Sequence, residues 1–356
     1  MKYNKKTENL DAYMLLPTSH YKYRLDIGEW ELPVHPSVQA AIGSFSDLCR
    51  YGAVDTVYRE LLDALAAYTN SSADQILLTN GSDNALRLIL ELFVTPESKL
   101  LVPVPTYTHL ESMLRVVPCA CVDKPYMPYT LSIDEYASVL EGELDKGYDL
   151  CYLVNPSMPT GHLLTDAQLD GVLCKYSETL FVVDEAYLEF SSQASCANLL
   201  AAHANLVVVK TFSKFFSLAS LRIGYLIGSP TTVSLLKPLY NYKDVSRVSV
   251  ECALATMKHL DFYEVHKAYY LHTADRLRAE MTSLITPTTP VRDFILNHGV
   301  YLTLICADPS DAKNAFDRAG IAVRNKDSDI KGALRITLGA PESMDAVLRV
   351  LKTYCA

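Results

Sequence analysis

Residues 206–225, L-V-V-V-K-T-F-S-K-F-F-S-L-A-S-L-R-I-G-Y, pass from a continuous apolar run into a turn that carries a lysine, hydroxyls and an arginine. Residues 206–209 have the length and composition of a strand buried on both faces. After it, Lys214 stands among Ser213, Phe215 and Phe216, with Arg222 following. An amine set against aromatic surface is a usable nucleophile toward a carbonyl, and the hydroxyl and guanidinium beside it suit a phosphate. Taken alone, these charges read as surface or salt-bridge residues far more readily than as a site. Lys210 ends the apolar run without a preceding serine, and it reads as structural.

Working outward, runs of the same kind recur at residues 76–78, 100–104, 150–154 and 180–183. Between them, residues 57–68 and 85–93 repeat apolar side chains at three- and four-residue spacing, which makes helical faces. Buried strands alternating with helices predict an α/β fold, a mostly parallel central sheet covered by helices. From about residue 238 the pattern changes. Helices are predicted over 251–260 and 265–284, then strands over 299–306 and 334–338, so a smaller α+β portion follows.

The bulk properties exclude several classes of function. A chain of 356 residues is longer than most single domains, so one large and one small domain are expected. A net charge of −9 argues against a nucleic-acid surface, which needs clustered basic residues. The nine cysteines are scattered, Cys119 and Cys121 form only a C-x-C, and no histidine completes a metal site. Their odd number reads as reduced thiols of a cytoplasmic protein. No run approaches the roughly 20 apolar residues that cross a bilayer, so no membrane partner is expected. Small-molecule chemistry remains.

Four further segments place polar groups at strand ends. N-G-S-D at 80–83 sets Gly81, Ser82 and Asp83 where a strand turns into a helix, and a helix N-terminus favours an anion. The same residues also read as an ordinary turn with Asp83 as N-cap. V-V-D-E-A-Y-L-E-F at 182–190 ends a buried strand with Asp184 and puts Tyr187 three residues on. Glu185 and Glu189 read as solvated or salt-bridged. N-P-S-M-P-T-G at 155–161 fixes a rigid turn at a strand's carboxyl end, where open α/β sheets bind ligands. Tyr107, in P-T-Y-T, offers an aromatic face. Later, Arg335 in A-L-R-I-T-L-G and Arg324 in I-A-V-R-N offer planar forks for carboxylate or phosphate, with a surface salt bridge as the alternative for each.

The spacing S-K-x-F-x-L-A-x-L-R-x-G at 213–224 resembles the cofactor-lysine segment of fold-type I pyridoxal-phosphate enzymes, specifically the class I/II aminotransferases. With D-E-A-Y-L-E-F, V-R and L-R-I-T-L-G, the match is nearest to the histidinol-phosphate aminotransferase group and collinear over most of the chain. The resemblance implies pyridoxal 5′-phosphate as cofactor, bonded through its aldehyde to Lys214, which then serves as general base. It implies Asp184 against the pyridine nitrogen, Tyr187 and Asn155 at the phenolic oxygen and Tyr107 stacked on the ring. Gly81, Ser82, Asp83, Ser213 and Arg222 would hold the phosphate. Arg335 and Arg324 would take the acidic group of the substrate. It further implies a large domain over 46–244, a small one from 1–45 and 245–356, and a homodimer in which Tyr51 reaches the neighbouring cofactor phosphate.

Departures from the pattern fall on the substrate side. Where the group has N-E-N-P followed by tyrosine, this chain has L-D-I-G-E-W-E-L-P at 25–33, so Glu29 and Trp30 become the substrate-facing residues of the arm and its tyrosine is absent. Ser220 and Asn84 stand where a glycine and an acid are common. These changes point to a larger or more apolar amino donor. The activity implied is transfer of an amino group between an amino acid or amino-alcohol phosphate and a 2-oxo acid. A decarboxylase resembling the phosphothreonine decarboxylases is the alternative. A non-enzymatic binding module is a third, disfavoured because a binder has no need of Lys214.

Overall fold

The structure, a computed structural model, describes residues 20–356 apart from 47, 48, 50 and 52–55. After a short β1 (Tyr23–Arg24) and α1 (Pro36–Ser44), the apolar runs become β2 (Ile76–Thr79), β3 (Lys99–Leu101), β4 (Cys121–Asp123), β5 (Leu150–Val154), β6 (Leu180–Asp184), β7 (Leu206–Thr211) and β8 (Gly224–Gly228). They form one seven-stranded sheet in the order β2-β8-β7-β6-β5-β3-β4. Only β8 runs against its neighbours, pairing antiparallel with β2 and β7. All six residues of β7 are buried, which demands cover on both faces. That cover is the helices α2 (Thr56–Thr69), α3 (Gly81–Phe93), α4 (Thr108–Val116), α5 (Ile133–Leu144), α6 (Asp166–Lys175) and α7 (Pro230–Leu236). The mostly parallel, helix-covered sheet is the one read from the sequence.

Register sets the site. Val154 on β5 pairs with Asp184 on β6, so those two strands end level, and Asp184 pairs with Val209 on β7, which runs two residues further to Thr211. The residues just beyond those ends therefore meet at one edge of the sheet.

The rest of the chain builds a second layered unit from α8 (Arg247–Met257), α9 (Leu260–Leu284), β9 (Val291–Ile295), β10 (Tyr301–Cys306), α10 (Pro309–Arg318), β11 (Ile321–Ala322), β12 (Arg324–Asn325), β13 (Ala333–Thr337) and α11 (Pro341–Cys355). Four of its strands form an antiparallel sheet in the order β12-β13-β10-β9. β1 pairs in parallel with β11, and the Thr337 N–H donates to the Leu25 carbonyl at 2.8 Å. The segment from residue 22 to 28 is thereby held against the C-terminal sheet.

Several boundaries differ from the sequence reading, among them the helix expected over 265–284, which starts at Leu260, and the strand expected over 299–306, which starts at Tyr301. The helix expected from residue 85 starts at Gly81, with Asn80 as its cap, so N-G-S-D already forms its first turn. β3 stops at Leu101 because Pro103 and Pro105 have no N–H to give a ladder, and only Val104 keeps a bridge, to Tyr126. The helix expected over 251–260 ends at Met257. There Lys258 caps it, the chain turns through His259, whose ring stacks on His35 at 3.8 Å, and α9 begins. Apolar periodicity continues across that break because both helices bury one face. Cys151, Cys196, Cys252 and Cys306 are buried thiols, used as small apolar groups. Among the described residues no helix is long and apolar enough to cross a membrane.

One close approach joins the sheet to the start of α3. A Cβ on Gly224 would lie 2.8 Å from the Gly81 carbonyl carbon, 2.8 Å from the Lys210 oxygen and 2.9 Å from the Ser82 nitrogen, all backbone atoms. Gly224→Ala is expected to lower the free energy of unfolding by about 1–3 kcal/mol. Denaturant titration checks this; a midpoint equal to that of the unsubstituted protein contradicts the packing.

Candidate active site

Asp184 is the last residue of β6 and is buried. Its Oδ2 accepts the Tyr152 hydroxyl at 2.8 Å and its Oδ1 accepts the Ala186 N–H at 3.0 Å. Burial pushes its carboxyl up to about 6, against those two hydrogen bonds and the charge of Lys214, which favour the ionised form. A carboxylate kept in such a place gains by facing a cation. Beside it, Asn155 is fixed at both ends of its amide: Leu164 N–H donates to Oδ1 at 2.8 Å and Nδ2 donates to the Leu164 carbonyl at 3.1 Å. The second Nδ2 hydrogen is left over from that pair.

Lys214 follows β7 on a half-buried turn. Its Nζ donates to the Gly28 carbonyl at 3.4 Å and stands 5.6 Å from the centre of the Tyr187 ring. Phe215 and Phe216, expected to flank the amine, are buried instead against Phe190 and Tyr263. They anchor the turn. The neighbouring Lys210 is wholly different, buried on β7 between Glu185 at 3.0 Å and Glu189 at 2.9 Å. Those glutamates are salt-bridged, one of the two outcomes the sequence left open.

A second cluster lies at the start of α3. Arg222 donates from Nη1 to Ser213 Oγ at 3.3 Å and from Nη2 to Asp83 Oδ2 at 3.2 Å, and the Tyr107 hydroxyl donates to Asp83 Oδ1 at 2.8 Å. A Cβ on Gly81 would come within 2.5 Å of Arg222 Nη2, so glycine there lets the guanidinium lie against the helix start. The result is a cradle with N–H groups on one side and a guanidinium on the other, suited to a phosphate. The Asp83 carboxylate is engaged with Arg222 and Tyr107, so its side chain has no attraction for an anion; its backbone N–H does.

The C-terminal sheet faces this edge with cations. Arg335 donates from Nη2 to the Asp26 carbonyl at 2.9 Å, its guanidinium lies 4.2 Å over the Tyr301 ring, and its Nε is buried with no partner. Arg324 is its register partner on β12, so both arginines leave the same face of the sheet. An unsatisfied buried Nε beside a second guanidinium is an arrangement completed by an anion.

The arm does not act as read. Trp30 is buried among Phe190, Tyr269 and Tyr270, so its ring belongs to the core, and Glu29 stands 3.8 Å from Arg24. What the arm brings is backbone: the Gly28 carbonyl to Lys214 and the Asp26 carbonyl to Arg335. Tyr51 is exposed, its ring 5.1 Å from Lys243 Nζ, and stands outside the cluster. Two residues went unnoticed in the sequence: Tyr152 and Tyr301, whose hydroxyl meets that of Tyr187 at 3.0 Å. The available signal was a tyrosine inside a buried strand, since a buried phenol needs a hydrogen-bond partner.

The family "Aminotransferase class I and II" matches residues 19–351. The dihydroxyacetone phosphate transaminase of Campylobacter jejuni is 27% identical, over 99% of this chain and 97% of that one. A histidinol-phosphate aminotransferase of a Synechococcus strain is 30% identical over 84% of this chain and 82% of its own. Among solved structures, histidinol-phosphate aminotransferase from Sinorhizobium meliloti, determined with pyridoxal 5′-phosphate, superimposes with a TM-score of 0.85 at 22% identity, covering 99% of this chain and 97% of that one.

Because the Asp184 carboxyl sits higher in the folded state, near 6, than its ordinary 3.8, the folded chain binds its proton more tightly than the unfolded chain does. Cofactor-free protein should therefore lose stability as pH rises between those values, by up to about 3 kcal/mol. Asp184→Asn should remove that part of the pH dependence. Unfolding curves at pH 4 and pH 8 test it; an unchanged pH dependence in the variant contradicts it.

Proposed function

The chain belongs to the class I and II aminotransferase family, and on that footing we propose that the cluster at the strand ends is its pyridoxal-phosphate site and that the donor it serves carries an acidic group, best matched by an amino-alcohol phosphate. The observation that carries the reading is the convergence of Lys214, Asp184, Tyr187 and the Ser213–Arg222–α3 cradle at one edge of the sheet. These residues fit the cofactor: the cradle suits its phosphate, and the buried carboxyl of Asp184 suits its protonated pyridine nitrogen. When bound, pyridoxal 5′-phosphate supplies an electron-withdrawing ring that carries the amino group between two half-reactions.

The residues then divide the work. Lys214 would hold the cofactor through its aldehyde, and its Nζ, standing over the Tyr187 ring, is the base that would take the proton from the substrate α-carbon. Asp184, held by Tyr152 and Ala186, keeps the pyridine nitrogen charged. Tyr187 and the remaining Nδ2 hydrogen of Asn155 would donate to the cofactor's phenolic oxygen, and Tyr107 would offer its ring as a stacking face. The N–H groups of Gly81, Ser82 and Asp83, with Ser213 and Arg222, take the phosphate. Arg335, with Arg324 beside it, takes the acidic group of the substrate, and its partnerless Nε supports that role. Both relatives' names contain a phosphorylated alcohol, which favours a phosphate there over a carboxylate. Transamination is favoured over decarboxylation because both relatives are named as amino-group transfer enzymes.

The assembly and the compartment complete the proposal. The cofactor-binding domain is assigned to 46–244 and the smaller one to 1–45 with 245–356; of these, residues 1–19, 47, 48, 50 and 52–55 lie outside the described residues. The active form is a homodimer in the cytoplasm, with Tyr51 reaching the partner's phosphate cradle, in keeping with its exposure on the single chain.

A panel of amino donors, histidinol phosphate and serinol phosphate against aspartate and leucine, should show loss of the bound cofactor's visible band with the phosphorylated donors first. Lys214→Ala should lower turnover by about a thousandfold or more. Arg335→Ala should raise KM for the phosphorylated donor roughly thirtyfold with cofactor affinity little changed. Equal loss of substrate and cofactor binding in that variant contradicts the role given to Arg335.

A further inference from the structure

Tyr301 has no place in the assignment read from the sequence, yet it touches both halves of the site. It is the first residue of β10 and 5% exposed. Its hydroxyl lies 3.0 Å from that of Tyr187, and its ring carries the Arg335 guanidinium at 4.2 Å. The arm is shaped around it. Gly28 has φ +71°, and a Cβ there would overlap the Tyr301 hydroxyl and lie 2.9 Å from its Cζ. This glycine occupies the place of the first asparagine in the N-E-N-P pattern, so the side chain that the arm lacks is replaced in space by a phenol from β10.

Resting on the pyridoxal-phosphate reading above, we propose that Tyr301 is a positioning residue that couples the substrate-side arginine to Tyr187: its ring seats Arg335, and its hydroxyl orients and polarises the Tyr187 hydroxyl. Without cofactor, Tyr187 donates to Tyr301. Burial raises the Tyr301 phenol, but Arg335 from β13, Lys214 from the turn after β7, the Tyr187 hydrogen bond and Lys326 together draw it below its ordinary value. Burial and then Tyr301 itself hold Tyr187 well above its own, with Arg335 opposing and Tyr107 adding to the rise. Once Tyr187 turns its proton to the phenolic oxygen of the cofactor, Tyr301 donates to the Tyr187 oxygen, and the chain of two hydrogen bonds makes Tyr187 a stronger donor than it is alone. An acidic substrate group arriving at Arg335 meets a guanidinium seated on the ring of the same Tyr301.

Two variants separate the two halves. Tyr301→Phe keeps the ring and loses the hydroxyl; Tyr301→Leu loses both. A donor to the phenolic oxygen competes with the proton shared between that oxygen and the lysine nitrogen, so weakening Tyr187 raises the pH at which the bound cofactor's visible band titrates. Tyr301→Phe is expected to move that midpoint up by about 0.3 pH unit, less than Tyr187→Phe does, and to leave KM for the phosphorylated donor within about twofold. Tyr301→Leu is expected to add a rise in KM of about fivefold as Arg335 loses its platform. Combining Tyr301→Phe with Tyr187→Phe should shift the midpoint no further than Tyr187→Phe alone. A midpoint unmoved by Tyr301→Phe in a protein whose unsubstituted form shows the titrating band overturns the coupling and leaves the site reading intact. An unsubstituted protein with no such band overturns both.

Discussion

Lys210 is buried at the end of β7 with Glu185 and Glu189 on either side, and the rest of the site hangs on that cluster. Both glutamates belong to the loop after β6, whereas the lysine belongs to the strand that leads into the Ser213–Lys214 turn. Glu185 also accepts the Ser195 hydroxyl at 2.6 Å and the Cys196 N–H at 2.7 Å, so its charge is fully met. The two carboxylates hold the lysine well above its ordinary value against the effect of burial. A buried cluster of this kind adds little net stability, but removing one partner costs about 3–5 kcal/mol, because the other charges are then stranded. Its consequence is geometric. It locks the end of β6 and the loop after it, with Asp184 and Tyr187, to the strand that leads into the Lys214 turn, and so sets the spacing of these three side chains.

Around that lock the site is polarised from end to end. Asp184 lies at the closed end, where its carboxyl is pushed up to about 6. Arg222 lies at the start of α3, and Arg335 with Arg324 on the opposing sheet. A molecule with a cationic ring nitrogen, a phosphate and a second acidic group is matched at each point by opposite charge. Lys214 stands between them, against the face of Tyr187.

What the sequence made legible follows from how locally each feature is determined. The central strands are buried on both faces, so their apolar runs announce them, and the residues just past their ends are placed by chain connectivity alone. Asp184, Asn155, Ser213 and Lys214 are of this kind. Arg222 and Gly81 were legible as separate phosphate candidates, and their contact follows from the antiparallel pairing of β2 with β8. Residues whose position is set by distant packing were misread. Trp30 looked like a substrate contact because it stands in the arm, but Phe190, Tyr269 and Tyr270 take its ring into the core. Tyr301 carried no local mark beyond a phenol in a buried strand. The break between α8 and α9 was hidden for the opposite reason: the apolar spacing runs through it, and only the stacking of His259 on His35 shows where the chain turns.

The account rests on Lys214, and not the buried Lys210 four residues earlier, being the amine that bonds the cofactor. Borohydride reduction of the cofactor-loaded protein followed by peptide mass spectrometry tests this directly. A pyridoxyl group is expected on Lys214 and none on Lys210. A pyridoxyl group on Lys210, or on no lysine of a protein that has bound the cofactor, would contradict it.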